Sequence, residues 1–215
     1  MKKFSAILLA AIMALSLAAC KGNQVSKEIK GQVEPVFESG STTSGTYKSD
    51  FLGITCTFDE TWTIASNEEL AQLAGLMSEH LDNQAVTNAL ESGNTVYDLY
   101  ASGDEGRLSA NIVFQKLNAV SGLIDAKSYI EYTKDQVAQM LEQSGFTDVV
   151  CTPGTRDFVG QTADSLVINA SINGVTFYEE MICLKKGDYL AAVTVSSLVD
   201  NELDTLFAMF TAIEK

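Results

Sequence analysis

Acid/base or nucleophilic catalysis needs an imidazole, an activated thiol, or two carboxyl groups facing one another, and few residues here could supply them. The chain has a single histidine, His80. Its neighbours Met77, Ser78, Glu79 and Leu81 give it the setting of a partly exposed helix residue, and no G-x-S-x-G elbow accompanies it. The four cysteines, Cys20, Cys56, Cys151 and Cys183, are dispersed, and none lies in a C-x-x-C pair or in a motif that would activate a thiol. One histidine and scattered cysteines do not make the ligand pairs of a zinc site, and no acidic loop has calcium-ligand spacing. Glu179 and Glu180 are adjacent, so on a strand they point to opposite faces and make a poor acid/base couple. Asp104-Glu105 reads as a solvated turn. Both glycine-rich phosphate cradles, G-x-x-x-x-G-K-[ST] and G-x-G-x-x-G, are missing from the sequence. No catalytic, cofactor-binding or metal-ligating residue is assigned, and the expectation is a non-enzymatic protein without a cofactor.

Cys20 has a different context. Lys2 and Lys3 open a run, residues 4–19, that carries no charge and ends in small residues, the layout of a secretory signal. Its length falls short of the roughly 20 residues of a permanent membrane helix. Within it, Leu17-Ala18-Ala19-Cys20 resembles the lipobox of bacterial lipoproteins. That resemblance implies removal of residues 1–19, a thioether-linked diacylglycerol on Cys20, and attachment to the extracytoplasmic face of the cell membrane through palmitate-type acyl chains. Each buried methylene adds about 0.8 kcal/mol, so two or three chains hold a protein at the membrane. The competing reading is an ordinary secretory signal followed by a free cysteine.

Removing the leader with its two lysines from 215 residues of net charge −14 leaves 196 residues at −16. A field of that sign repels phosphate backbones and anionic headgroups, which argues against nucleic acid as a partner. With 46% apolar residues and two prolines the chain can build one sizeable core. Cys56, Cys151 and Cys183 remain in apolar, strand-like contexts. Being three, they allow at most one internal disulfide, and buried free thiols are common in such settings.

The elements that must position these residues follow from periodicity. Residues 20–50, rich in Gly, Ser, Thr and charge, read as a lipidated N-terminus and flexible tether, leaving residues 51–215 as a single domain. Leu52, Ile54, Cys56 and Phe58 alternate as a half-buried strand, and Trp62 follows a turn. Leu70, Leu73, Met77 and Leu81 mark an amphipathic helix with Ser66 and Glu69 in capping-box spacing and Gly93 at its stop. "TVYDLYAS" and "RLSANIVFQKL" form a hairpin pair around residues 103–106. A helix over about 126–144 places Ile130, Val137 and Leu141 inward, with Ser128 and Glu131 at capping-box spacing and Gly145 at its stop. A strand meander then turns at Pro153-Gly154, Gly160, Asn173-Gly174 and Gly187-Asp188, and a last helix capped by Asp200 carries Leu203, Phe207 and Phe210. Tyr178 falls on the face opposite Phe177, where an exposed aromatic would suit a partner.

This order predicts an α+β fold, an antiparallel sheet flanked by helices. It resembles the PsbP/Mog1-like fold, in that "YKSDFLGITCTFDETW" stands where that family has a tyrosine, a glycine-containing first strand and a tryptophan after a turn. "INGVTFYEEMICLKKGDYLAAVTVSS" is similar to its final strand pair. The resemblance implies an α/β/α sandwich and, since such proteins are mostly binding partners, a membrane-anchored interaction or accessory module with an envelope protein partner. The alternative is a surface lipoprotein that binds a small ligand or ion, which would need a pocket between helix and sheet.

Overall fold

The structure is a computed structural model that describes residues 35–73, 83–117 and 125–214. Two antiparallel sheets carry the fold. Strands β1 (Ser41–Thr43), β2 (Thr46–Ser49) and β3 (Ile54–Thr57) form a small sheet that the last strand, β11 (Phe210–Ala212), completes in the order β1-β2-β3-β11. The large sheet contains β4 (Thr63–Ile64), β5 (Thr95–Gly103), β6 (Leu108–Lys116), β7 (Thr147–Phe158), β8 (Gln161–Ile172), β9 (Val175–Lys186) and β10 (Tyr189–Ser197), in the order β4-β5-β6-β10-β9-β8-β7. Four helices are described: α1 (Asn67–Leu73), α2 (Asn83–Glu91), α3 (Ala126–Gln143) and α4 (Leu203–Phe207). None of these is long and apolar enough to cross a membrane.

Alternation along the strands separates two cores. Val96, Leu99, Ala110, Ile112, Phe114, Val193 and Val195 face the small sheet together with α2 and α4. Leu166, Ile168, Phe177, Met181, Leu190 and Ala192 face α3, and Tyr97, Tyr100 and Val113 pack with Leu70 of α1. The α/β/α sandwich expected from the sequence is therefore corrected: a second sheet, not helices alone, covers one face. The reason lies at the two ends of the domain, where short segments pair with β3.

The tether boundary near residue 50 also moves. Residues 35–50 belong to the folded domain, with Phe37 and Tyr47 fully buried. The Phe37 ring lies 4.9 Å from that of Phe114, 5.2 Å from Phe51 and 5.3 Å from Tyr189. The polar composition of this stretch concealed two aromatic anchors. Residues 20–34 lie outside the described residues.

Asp98 joins the two sheets. The register of β5 against β6 shifts between Tyr97 and Leu99, leaving Asp98 as a bulged extra residue. A bulge re-aims a side chain, and here Asp98 shares the small-sheet face with Leu99. Its carboxylate accepts the Tyr47 hydroxyl at 2.5 Å and the Gly40 backbone N–H at 2.9 Å. Burial pushes this carboxyl above its ordinary value, against the pull of the Tyr47 and Gly40 hydrogen bonds. Gly40 must lack a side chain, because a Cβ there would sit 2.4 Å from the Tyr47 ring.

Several local signals correspond to structure. Ser66 and Glu69 form a reciprocal capping box: the Ser66 N–H donates to Glu69 Oε2 at 2.8 Å and the Glu69 N–H to Ser66 Oγ at 3.3 Å. Three expectations are corrected. Helix α3 is capped by Asp125, which accepts from the Ser128 N–H at 2.8 Å, so Ser128 is not the cap. β7 runs unbroken through Pro153-Gly154, because it is an edge strand and a proline without an N–H is tolerated there. Helix α4 ends at Phe207, so Phe210 extends β11 opposite Cys56, and Asp200 offers only its carbonyl, to Ser197 Oγ.

Asp98→Ala strands the buried Tyr47 hydroxyl and the Gly40 N–H, so it is expected to lower the unfolding free energy by roughly 2–4 kcal/mol. Tyr47→Phe should cost less, about 1 kcal/mol, since the carboxylate keeps its contact with Gly40. Urea denaturation of both variants checks the ranking; equal losses would contradict it.

Candidate functional site

Three acidic side chains are buried in the described structure, and they differ in how they are paired. Asp98 is held by Tyr47 and Gly40 as above. Glu180, on the small-sheet side of β9, is bound by Arg156 of β7, whose Nε and Nη2 lie 2.7 Å and 2.6 Å from Glu180 Oε2. The same guanidinium reaches Asp204 of α4 at 2.9 Å and stacks over the Phe207 ring at 4.5 Å. This is a structural clamp between the sheet edge and α4.

Glu179 is the third. It is 5% exposed and has no hydrogen-bond or ion-pair partner among the described residues. Burial alone pushes its carboxyl from the ordinary 4.5 up to about 8. As expected for adjacent strand residues, Glu179 points away from Glu180, toward the helix side of the sheet.

On that side the register gathers a polar strip. Glu179 of β9 stands opposite Ser196 of β10, and Ser196 opposite Ser109 of β6. In the next row Thr194 of β10 stands opposite Asn111 of β6, which in turn faces Tyr100 of β5. Ser109 and Ser196 satisfy each other, with their hydroxyl oxygens 2.7 Å apart. Both amide atoms of Asn111 and the hydroxyl of Thr194 have no hydrogen-bond partner among the described residues, although Asn111 is fully buried and Thr194 is 4% exposed. Unpaired buried polar groups each cost about 1–3 kcal/mol, which makes this cluster a candidate site; Ser165 Oγ, on the small-sheet face of β8, is likewise without a partner among the described residues.

The residues singled out from the sequence are not part of this strip, apart from Glu179. Cys20 and His80, with Met77 and Leu81, lie outside the described residues. Cys56 and Cys183 are buried and Cys151 is half-buried, all three as free thiols. Burial pushes the thiols of Cys56 and Cys183 up to about 12 and that of Cys151 to about 11, which keeps them protonated and unreactive. Asp104 and Glu105 form a 3₁₀ turn with Arg107 at 2.6 Å from Asp104, a solvated turn as expected. Tyr178 does lie opposite Phe177, but it packs half-buried against the small-sheet core. Among the described residues Tyr132 of α3 is the one aromatic side chain that is mostly exposed.

A second feature is a polar cleft of about 300 Å³ where β8 begins and β9 ends, lined by Leu52, Thr162, Asp164, Lys185 and Lys186. Lys186 is already engaged there, donating to the Phe51 carbonyl with its ammonium 4.7 Å from the Phe51 ring centre. The strip, with its unmet hydrogen bonds, is the better candidate.

No protein-family model matches the sequence, and no curated protein matches it. Among solved structures, the chain is similar to the solution structure of cyanobacterial PsbP, CyanoP, from Synechocystis sp. PCC 6803. The TM-score is 0.47 at 11% identity, over 85% of this chain and 98% of that one. It is also similar to the crystal structure of LpqN, described as involved in cell envelope biogenesis of Mycobacterium tuberculosis. There the TM-score is 0.31 at 14% identity, over 74% of this chain and 82% of that one.

The buried acid makes stability depend on pH. The unfolded chain ionises Glu179 above about 4.5, whereas the folded chain keeps the proton until about 8. Its contribution is therefore complete below about pH 4.5 and is lost as the pH rises to about 8. Glu179→Gln should remove this slope and raise the unfolding free energy at pH 8 by on the order of 3–5 kcal/mol. Urea unfolding of both proteins at pH 5 and pH 8 checks this; parallel pH profiles would contradict it.

Proposed function

We propose that the chain is an extracytoplasmic lipoprotein of PsbP/Mog1-like type, held at the cell membrane by acylated Cys20, whose domain acts by binding and not by catalysis. The observation that carries this reading is the leader: Lys2-Lys3, the uncharged run 4–19, and Leu17-Ala18-Ala19-Cys20. The start of the folded domain gives it a geometric consequence. Residue 35 is fifteen residues after Cys20, so at no more than about 3.6 Å per residue the domain begins within about 54 Å of the anchored sulfur. Such a module works beside the membrane surface and is suited to an envelope protein partner.

Binding is favoured over catalysis by the state of the ionisable groups. The thiols are held protonated by burial, Glu180 is committed to Arg156, and Asp98 to Tyr47 and Gly40. A second reading, capture of a small ligand, is favoured by one specific observation, the unpartnered polar atoms of Asn111 and Thr194 beside the buried Glu179 carboxyl.

Expression in a bacterial host with mass analysis of the membrane fraction tests the anchor. The mature chain should start at Cys20 and carry the mass of a diacylglycerol, and Cys20→Ser should leave it unlipidated and unprocessed. A mature chain cut elsewhere in residues 1–34, or one without lipid, would overturn the reading.

A further inference from the structure

The side chains of the strip are buried, whereas the polar cleft of about 300 Å³ opens to solvent, with Gln161, Thr162, Lys185 and Lys186 of its lining exposed. It lies in a gap in the ladder. β8 and β9 pair from Ile172↔Val175 as far as Asp164↔Cys183, yet both strands run on for three residues, Gln161–Ala163 and Leu184–Lys186. Those six residues, the last ladder pair and Leu52 line the cleft.

This fork is held open from both sides. Phe158 and Ala163 turn the tip of the β7–β8 hairpin into the small-sheet core, with the Phe158 ring 6.0 Å from Phe207 and 5.6 Å from Phe210. On the other prong Lys186 pairs with Tyr189 of β10, and its ammonium donates to the Phe51 carbonyl. The two-residue turns Val159-Gly160 and Asn173-Gly174 set which residues bond across each ladder. Counted from either turn, the even-numbered residues of β8 direct N–H and C=O toward β9. Thr162 is the next of these after Asp164, and the register pairs it with no residue of β9.

An open strand edge is a template for another extended backbone. Because the fork closes at Asp164↔Cys183, a strand entering along it stops there, so its occupant is a chain end. At about 3.3 Å per residue, three residues of extended chain fill its depth. Charge selects which end. Asp164 stands at the closed end, and Lys185 and Lys186 stand toward the mouth. An amino terminus sets its ammonium beside Asp164, where a carboxy terminus would bring a second carboxylate. Acidic side chains on the residues behind it then meet the lysines.

We propose that the fork between β8 and β9 receives the free amino terminus of an extended, acidic polypeptide segment, which pairs with the Thr162 backbone and sets its ammonium against Asp164. This rests on the protein-partner reading above and names the part of the partner that is held.

Fluorescence anisotropy with the full-length chain in detergent tests the proposal. The probe is a seven-residue peptide of alternating valine and glutamate, labelled at its carboxy terminus and free at its amino terminus. Saturable binding is expected, weakened at least about tenfold by acetylating the probe or by Asp164→Asn, and severalfold by Lys185→Gln or by lysine in place of glutamate in the probe. Thr162→Pro removes the N–H that faces the fork and should abolish binding, while Thr162→Ala keeps it. Asp164→Asn is the decisive variant, since it preserves the shape of a half-buried side chain. Equal binding of the acetylated probe, or binding unchanged by Asp164→Asn, overturns the assignment to an amino terminus. Binding that survives Thr162→Pro overturns strand pairing. Self-association of the unliganded chain that Asp164→Asn abolishes places a second copy in the fork and overturns the assignment to a partner. If no probe binds, the fork is not a docking site of this kind, while the anchored-module reading stands or falls on the mass analysis of Cys20.

Discussion

The two sheets meet through a buried carboxylate. Asp98 has no place in a ladder of alternating apolar residues, and the bulge at that position gives it one by turning its side chain toward the small sheet. There it holds the Tyr47 hydroxyl and the Gly40 backbone, and so it fixes where the chain enters the domain. Once Tyr47 is placed, β2 can pair with β3 and β3 with β11, which closes the layer over Phe114, Val193 and Val195. The apolar contacts supply most of the driving force of burial, but they are non-directional. The Asp98 hydrogen bonds supply the register.

Set against that arrangement, the buried acids divide by role. Asp98 and Glu180 each have partners that account for their burial, one by hydrogen bonds and one by the Arg156 clamp. Glu179 shares their burial, but desolvation alone sets its titration, and the adjoining Asn111 and Thr194 have buried polar atoms without a partner among the described residues. A fold that satisfies two buried acids and leaves the third next to further unmet polar groups places its functional question on the helix side of the large sheet.

Much of this was legible in the sequence, and the exceptions have physical causes. The meander strands, the Asn173-Gly174 turn and the inward positions of α3 follow from periodicity and turn chemistry, because local preference and tertiary structure agree there. The second sheet was not legible: β1, β2 and β11 are three or four residues long, too short to show a period, and Phe37 and Tyr47 are isolated among polar residues. Nor was the strip legible as a site. Its signal was present in "RLSANIVF" and "AAVTVSS", where Ser109, Asn111, Thr194 and Ser196 fall on one face of otherwise apolar strands. Only the register of β6, β10 and β9 shows that those faces are adjacent and that Glu179 joins them.

The burial of an unpaired Glu179 carboxyl is the claim on which the small-ligand reading turns, and its titration can be followed directly. In carbon-detected NMR of the full-length protein labelled at glutamate carboxyls, with Glu179→Gln used to assign the resonance, Glu179 should titrate near pH 8. A midpoint near the ordinary 4.5 would show that the carboxyl is solvated or already paired, and would contradict its unpaired burial in the sheet.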